Sequence, residues 1–220
     1  MNETIELVRE IQCPLSLAEH PDEWAPEQIA DTLQRLRQQS EGAEVVHLSR
    51  GPLILGGDNP VIWPVCAAAA AIAPTCLQLK GRDVLGEHQL ICTPFPIDAG
   101  GCDCGIDIEV HELAKRALAV VTIDPVRFDY LRFDSIVAPP VSKGMQVLLR
   151  GSLPLPVAVS LVLSYAPDAE SVWVQERIRS GSDVCVYSRD PDILGTIAHE
   201  DFNRDQEGPQ RVRPFWRYRT

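Results

Sequence analysis

The sequence lacks an apolar run long enough to cross a bilayer. A membrane-spanning helix needs roughly 18 consecutive apolar residues. The longest candidate is interrupted at Pro52, Asp58, Pro60, Pro64 and Pro74. The first residues show neither the basic region nor the apolar region with which a secretory signal peptide begins. These absences predict a protein that does not span the membrane and that resides in the cytoplasm.

Positive charge is also scarce. The 220 residues contain 20 Lys and Arg against 31 Asp and Glu, which gives a net charge of -11. Because Lys and Arg contacts to phosphates supply most of the affinity for nucleic acid, a long duplex is not an expected partner. A pocket for one small anionic ligand stays open. The 7 cysteines are an odd and scattered set, which favours reduced thiols over a disulfide framework.

Strong catalytic motifs are absent, because the sequence has no G-x-S-x-G, no P-loop and no G-x-G-x-x-G. Cys102 and Cys104, followed by His111, have the composition of a metal site, but they lack the second ligand pair of a structural zinc site. Cys104 with His111, and Ser49 with His47, are candidate pairs of nucleophile and base, and neither spacing is diagnostic. The sequence therefore predicts no catalytic residue, no metal and no cofactor.

Composition and hydrophobic pattern divide the chain into four segments. We predict an α/β fold with a first β-rich module at 1–98, a Cys-containing connector at 99–116, a second module at 117–198 and a tail at 199–220. Runs of β-forming residues predict strands, and longer apolar runs predict helices. The predicted strands cover 4–12, 43–49, 75–81, 88–94, 117–123, 145–151, 171–175 and 183–188, and the predicted helices cover 24–39, 61–73 and 155–166. A charged turn is expected around 81–83.

The two modules repeat one order of elements, namely a short strand, an Arg-Gly turn, an apolar run that ends at Ala-Pro, and a strand pair. A true duplication and a chance likeness stay open as alternatives. A duplication predicts two tandem modules that form a pseudo-dimer, with equivalent turns near a pseudo-twofold axis. The candidate ligand-binding residues are then Arg50, Gly51, Arg150 and Gly151, because glycine admits a ligand to the backbone and arginine holds phosphate or carboxylate bidentately. The alternative for each arginine is a bond to a nearby carbonyl or acid.

A further pattern in the second module concerns the order of its turns and strands. Lys143-Gly144, a strand at 146–149 and the sequence Gly-Ser-Leu-Pro at 151–154 follow one another, and the first module offers the shorter match Ser-Arg-Gly-Pro at 49–52. This layout resembles the CRISPR-associated ring nucleases of the third type. The resemblance implies a compact α/β fold related to proteins that act on cyclic tetra-adenylate.

The resemblance also implies which residues would carry metal-dependent phosphodiester chemistry: a His on the helix, and an Asp and a His on the strand pair. This chain has Ser164, Glu176 or Arg177, and Arg189 at those positions, and Ser152 replaces the arginine of the family's Gly-Arg turn. We therefore expect a non-catalytic ring-nuclease-like protein that binds a partner protein or a cyclic oligonucleotide in CRISPR-linked defence. The alternatives are a divergent metal-dependent phosphodiesterase and an enzyme that uses the Cys/His cluster. A homo-oligomer is compatible with either class.

The tail differs in character from the rest of the chain. It combines five arginines with Phe215, Trp216 and Tyr218, and it also carries four acidic residues between Glu200 and Glu207. Arg and aromatic side chains can stack on bases or anchor in a protein groove. Because the acidic residues oppose nucleic-acid binding, we expect this tail to dock onto an acidic protein surface. A terminus without a binding role is the alternative.

Overall fold

The fold is taken from a computed structural model. The structure describes residues 9–13, 43–48, 63–72, 77–83, 86–98, 105–125, 136–176 and 182–199. These residues form two β-sheets and two α-helices, so the prediction of an α/β fold is confirmed. No helix among them is both long enough and apolar enough to span a bilayer.

The first sheet has four strands in sequence order. Strands β1 (Arg9–Cys13), β2 (Ala43–Leu48) and β3 (Leu77–Asp83) are parallel. Strand β4 (Gly86–Cys92) forms an antiparallel hairpin with β3. Helix α1 (Trp63–Ile72) precedes β3, and Pro64 occupies its first turn, where a missing N–H leaves no helical bond unmade.

The second sheet has six strands in the order β10-β9-β8-β7-β6-β5. Its elements are β5 (Ile106–Leu113), β6 (Leu118–Pro125), β7 (Gln146–Gly151), helix α2 (Leu155–Tyr165), β8 (Ser171–Glu176), β9 (Ser182–Ser188) and β10 (Ile197–His199). Strands β6, β7 and β8 are parallel to one another. Strand β5 pairs antiparallel with β6, β9 pairs antiparallel with β8, and β10 pairs antiparallel with β9. A single parallel bridge joins Ile97 to Ala138 outside the strands.

Both sheets contain the same order of parallel and antiparallel strand pairings. In the first, β1 is parallel to β2, β2 is parallel to β3 across α1, and β3 is antiparallel to β4. In the second, β6 is parallel to β7, β7 is parallel to β8 across α2, and β8 is antiparallel to β9. The helices contact each other, and each also contacts the last strand of the other set: α1 packs against β9 and α2 packs against β4.

The main core lies between the sheets and contains both helices. All eleven residues of α2 are buried, as its apolar composition on every side predicts. The core continues onto one face of the six-stranded sheet, which we call the inner face, through residues such as Val147, Leu149 and Val174. Because side chains alternate along a strand, the residues between these point to the opposite, outer face.

A second, smaller cluster lies on the outer face. Its buried members are Leu118, Leu148, Trp173, Cys185 and Ala198. Neither described helix contributes to this cluster. The indole Nε1 of Trp173 donates to the Ser171 hydroxyl at 2.9 Å, so the polar atom of this buried ring is satisfied.

The observed elements differ from the sequence predictions in three places. Residues 106–113 of the predicted connector form β5, because their alternation of Ile and Val with charged residues suits an edge strand. The predicted turn at 81–83 is wrong, since these residues continue β3 opposite β4. Strand β10 was not predicted. The expected helix at 24–39 lies outside the described residues.

Candidate functional site

Arg150 lies near the carboxyl end of β7 and forms an ion pair with Asp183 of β9. The Arg150 Nη2 atom is 3.1 Å from Asp183 Oδ2. The Arg150 side chain is 16% exposed and that of Asp183 is 0% exposed, so the pair is nearly removed from water. A carboxylate buried to this extent requires a compensating cation.

The strand pattern explains why these two charges meet. In β7, Val147 and Leu149 belong to the main core, which turns Leu148 and Arg150 to the outer face. Since β8 lies between β7 and β9, the arginine reaches Asp183 across one intervening strand. Only a long side chain spans that separation of roughly 10 Å between strand axes.

Gly151 follows with a backbone conformation that favours glycine, at φ +101°. A Cβ atom there would collide with the carbonyl oxygen of Ile123 on β6. The same carbonyl accepts a hydrogen bond from the Ser152 amide at 2.9 Å. Glycine at position 151 therefore allows β7 to approach the backbone of the neighbouring strand β6 closely.

The other predicted site residues fall in two groups. Arg50, Gly51, Ser49, Cys102 and Cys104 lie outside the described residues. His47 belongs to β2, in register with Lys80 of β3.

Residues Asp107, Glu109 and His111 of β5 are all exposed on one face, as their alternate spacing predicts. Within the described part of the chain, no three His, Cys, Asp or Glu side chains are grouped as a metal would require. The carboxylate of Glu112 instead accepts bonds from the Ser142 amide and hydroxyl at 2.6 and 3.0 Å. Those bonds join the segment before β7 to strand β5.

Two residues at the positions singled out by the ring-nuclease resemblance serve as structural hydrogen-bonding groups. The Ser164 hydroxyl donates to the Ser160 carbonyl at 2.6 Å and accepts from the Phe95 amide at 2.7 Å. It thereby joins α2 to the segment that follows β4. Arg189 donates through Nε and Nη2 to the carbonyls of Ala169 and Pro167, each at 3.0 Å, just beyond the end of α2. Cations stabilise carbonyl groups at a helix C-terminus.

The described cysteines are poor candidates for nucleophiles. Cys66, Cys92 and Cys185 are buried and none of them forms a disulfide with another described cysteine. Burial raises the pKa of the Cys185 thiol far above its usual range. Because the thiolate is the reactive form, Cys185 is inert in the folded protein.

Asp183 is the site residue that sequence reasoning missed. A local signal was present: Arg150 and Asp183 are isolated charges of opposite sign, each in an otherwise apolar stretch of strand. Charged side chains in buried strands are rare unless they are paired. The pairing itself depends on strand order, which the sequence does not reveal directly.

Comparison with known proteins adds no relative. No protein-family model matches the chain, and no curated protein matches it at a significant level.

Proposed function

We propose that this chain is a non-catalytic binding protein built from two tandem β-rich modules, 1–98 and 117–198, that form a pseudo-dimer. The succession parallel, parallel, antiparallel in both sheets supports the proposal. The reciprocal contacts of α1 with β9 and of α2 with β4 support it further. In a twofold interface each contact occurs twice with exchanged roles, which is the pattern these elements follow. These reciprocal contacts carry the proposal.

A non-catalytic role is supported by the structural hydrogen bonds that two of the relevant side chains make. Ser164 is committed to two hydrogen bonds, and Arg189 holds the carbonyls after α2. Neither side chain can ligate a divalent metal in the way an imidazole does. The proposal includes a ring-nuclease ancestry in which the binding surface was kept and the catalytic residues were replaced, with a role in CRISPR-linked defence in the cytoplasm.

A protein partner is the first candidate ligand. The positive charge of Arg150 is compensated by Asp183, while Asp107, Glu109 and Asp124 are exposed on the same outer face. This part of the surface therefore repels a phosphate backbone and attracts a basic protein segment. A cyclic oligonucleotide is the second candidate, because the Arg150 side chain is 16% exposed and a guanidinium can bind phosphate bidentately.

A first experiment separates the binding protein from an enzyme. Purified full-length protein is incubated with cyclic tetra-adenylate and manganese, and the products are separated by chromatography. We expect no cleavage. Multiple-turnover cleavage that is lost in Glu176→Ala would contradict the proposal and support a divergent phosphodiesterase.

A second experiment distinguishes the ligands by isothermal titration. Arg150→Ala is a poor probe, because it leaves the Asp183 carboxylate buried without its cation. The informative variant combines Arg150→Met with Asp183→Val, which removes both charges and stays close to the combined volume of the pair. Binding of cyclic tetra-adenylate by the unaltered protein, lost in this pair and in Arg50→Ala, would favour the nucleotide. If the unaltered protein binds a basic protein and does not bind cyclic tetra-adenylate, the titration favours the protein partner.

A further inference from the structure

Strand β5 forms one end of the six-stranded sheet and offers an edge for further pairing. Within the described ranges its only strand partner is β6. The N–H and C=O groups on the other edge of such a strand are available for pairing with an added strand. Proteins use edges of this kind to bind extended segments by β-strand addition.

The two faces of β5 differ in chemistry. Its outer face carries Asp107, Glu109 and His111, all exposed, while its inner face carries the half-buried Ile108 and Val110. An added strand thus needs basic side chains on one face and apolar side chains on the other.

A cross-strand pair increases the demand for positive charge. Asp107 lies directly opposite Asp124 on β6, so two exposed carboxylates face each other on the outer face. Like charges in this position destabilise a sheet. A neighbouring cation would relieve that repulsion.

The end of the chain has the complementary alternation. In the sequence 211–219, one side of an extended strand would present Arg211, Arg213, Phe215, Arg217 and Arg219, and the other would present Val212, Pro214, Trp216 and Tyr218. Alternation of this kind, interrupted at Phe215, is typical of a strand with two different faces. Four of the five residues on the first side are arginines, and none of those on the second side is charged.

We propose that residues 211–219 of the same chain add to the free edge of β5 as a seventh strand. Their arginines then lie beside Asp107 and Glu109, and their apolar side chains extend the core beside Ile108 and Val110. Pro214 is compatible with this position, because an edge strand tolerates proline where its nitrogen faces solvent. The proposal does not rest on the proposed ligand, but a docked 211–219 segment occupies the carboxylates of Asp107 and Glu109, so a basic protein partner would have to displace it.

The path from the last described strand is short enough. Strand β10 is parallel to β8, so His199 lies at the edge of the sheet where β6 ends and β5 begins. Six strand spacings separate β10 from a seventh strand beside β5, about 29 Å in all. The twelve residues from His199 to Arg211 span up to roughly 40 Å when extended. The segment reaches β5 at its Ile106 end and runs parallel to it.

The test is a charge exchange in the full-length chain, read by hydrogen exchange of residues 106–113. Variant A combines Asp107→Lys with Glu109→Lys, and variant B combines Arg217→Glu with Arg219→Glu. We expect each alone to accelerate exchange of the amides on the free edge by about fivefold to tenfold at low salt. Variants A and B together should restore the protection. A matched control combines Glu170→Lys with Asp192→Lys, which makes the same change in net charge at exposed positions off β5 and should leave this exchange unchanged.

Three results would overturn the proposal: no change in variants A and B, no restoration in their combination, or an equal effect of the control. The mass in solution is measured alongside by sedimentation. If protection of 106–113 appears only as the mass doubles with concentration, the segment docks on a second copy and the intramolecular strand is wrong. Protection that appears only when an added basic protein is present would likewise assign the edge to a partner.

Discussion

Replacing Arg150 by alanine should destabilise the protein severely. The substitution removes the guanidinium that lies 3.1 Å from a carboxylate with no exposed surface. Breaking a buried pair by removing one partner costs about 3–5 kcal/mol, because the remaining charge has lost its solvation and its counterion. The total free energy of unfolding of a domain is about 5–15 kcal/mol, so this is a large fraction.

The assay is urea unfolding at pH 7, followed by circular dichroism. With a denaturant slope of about 2–3 kcal/mol per molar, the expected loss lowers the midpoint by about 1–2.5 M. The combination of Arg150→Met with Asp183→Val should have a free energy of unfolding within about 1 kcal/mol of that of the unaltered protein, since apolar residues of similar volume replace a buried pair at little cost.

The chain provides a matched control at its surface. Lys143 Nζ and Asp168 Oδ1 are closer, at 2.9 Å, but their side chains are 81% and 48% exposed. Lys143→Ala should therefore cost less than about 1 kcal/mol, because water screens an exposed pair. A loss below about 1 kcal/mol for Arg150→Ala, or equal instability of the double variant, would refute the reasoning from burial.

Three further outcomes follow from the contacts. Gly151→Ala should cost more than about 2 kcal/mol in urea unfolding and separate β7 from β6, because its Cβ would collide with the Ile123 carbonyl; stability equal to that of the unaltered protein would contradict this. Ser164→Ala should cost about 1–3 kcal/mol in the same assay, since the buried Phe95 amide loses its acceptor, and a neutral result would show that the bond contributes nothing. Burial raises the pKa of Cys185 and of Tyr165, so both stay protonated in the folded chain, whereas the unfolded chain ionises them above about pH 8.5 and pH 10. Below pH 8 these two groups should not change the free energy of unfolding, and from about pH 8.5 upward they should lower it as the pH rises. The decrease should be less steep in Cys185→Ala. Urea unfolding between pH 7 and pH 10.5 would measure both.

The elements that the sequence predicts well are those with continuous apolar runs. Helix α2 and strands β7 and β8 are buried on both sides, so their composition alone marks them. The composition of β5 is dominated by charged residues, so the sequence predicts a connector there. Its alternation of Ile106, Ile108 and Val110 with acids is the pattern of a strand that has one exposed face.

The candidate site was only half accessible to sequence reasoning. The repeated Arg-Gly turn singles out Arg150, and a bond to a nearby acid is among the alternatives for it. Asp183 could not be assigned to it, because 33 residues separate the two and the pairing depends on the antiparallel return of β9. The collision that reserves position 151 for glycine depends in the same way on β6, a strand far away in sequence.

The crossed packing of the helices has a consequence for synthesis on the ribosome. Helix α1 is apolar throughout and packs against β9, which follows it by more than a hundred residues. At a translation rate of about 5–20 residues per second, α1 leaves the ribosome on the order of ten seconds before β9 is complete. During that interval the side chains of Val65, Ala67 and Ala70 lack the surface that later covers them. We therefore expect nascent chains that stop short of β9 to expose α1 to chaperones and proteases, and we expect either half produced alone to expose the helix that the other half covers.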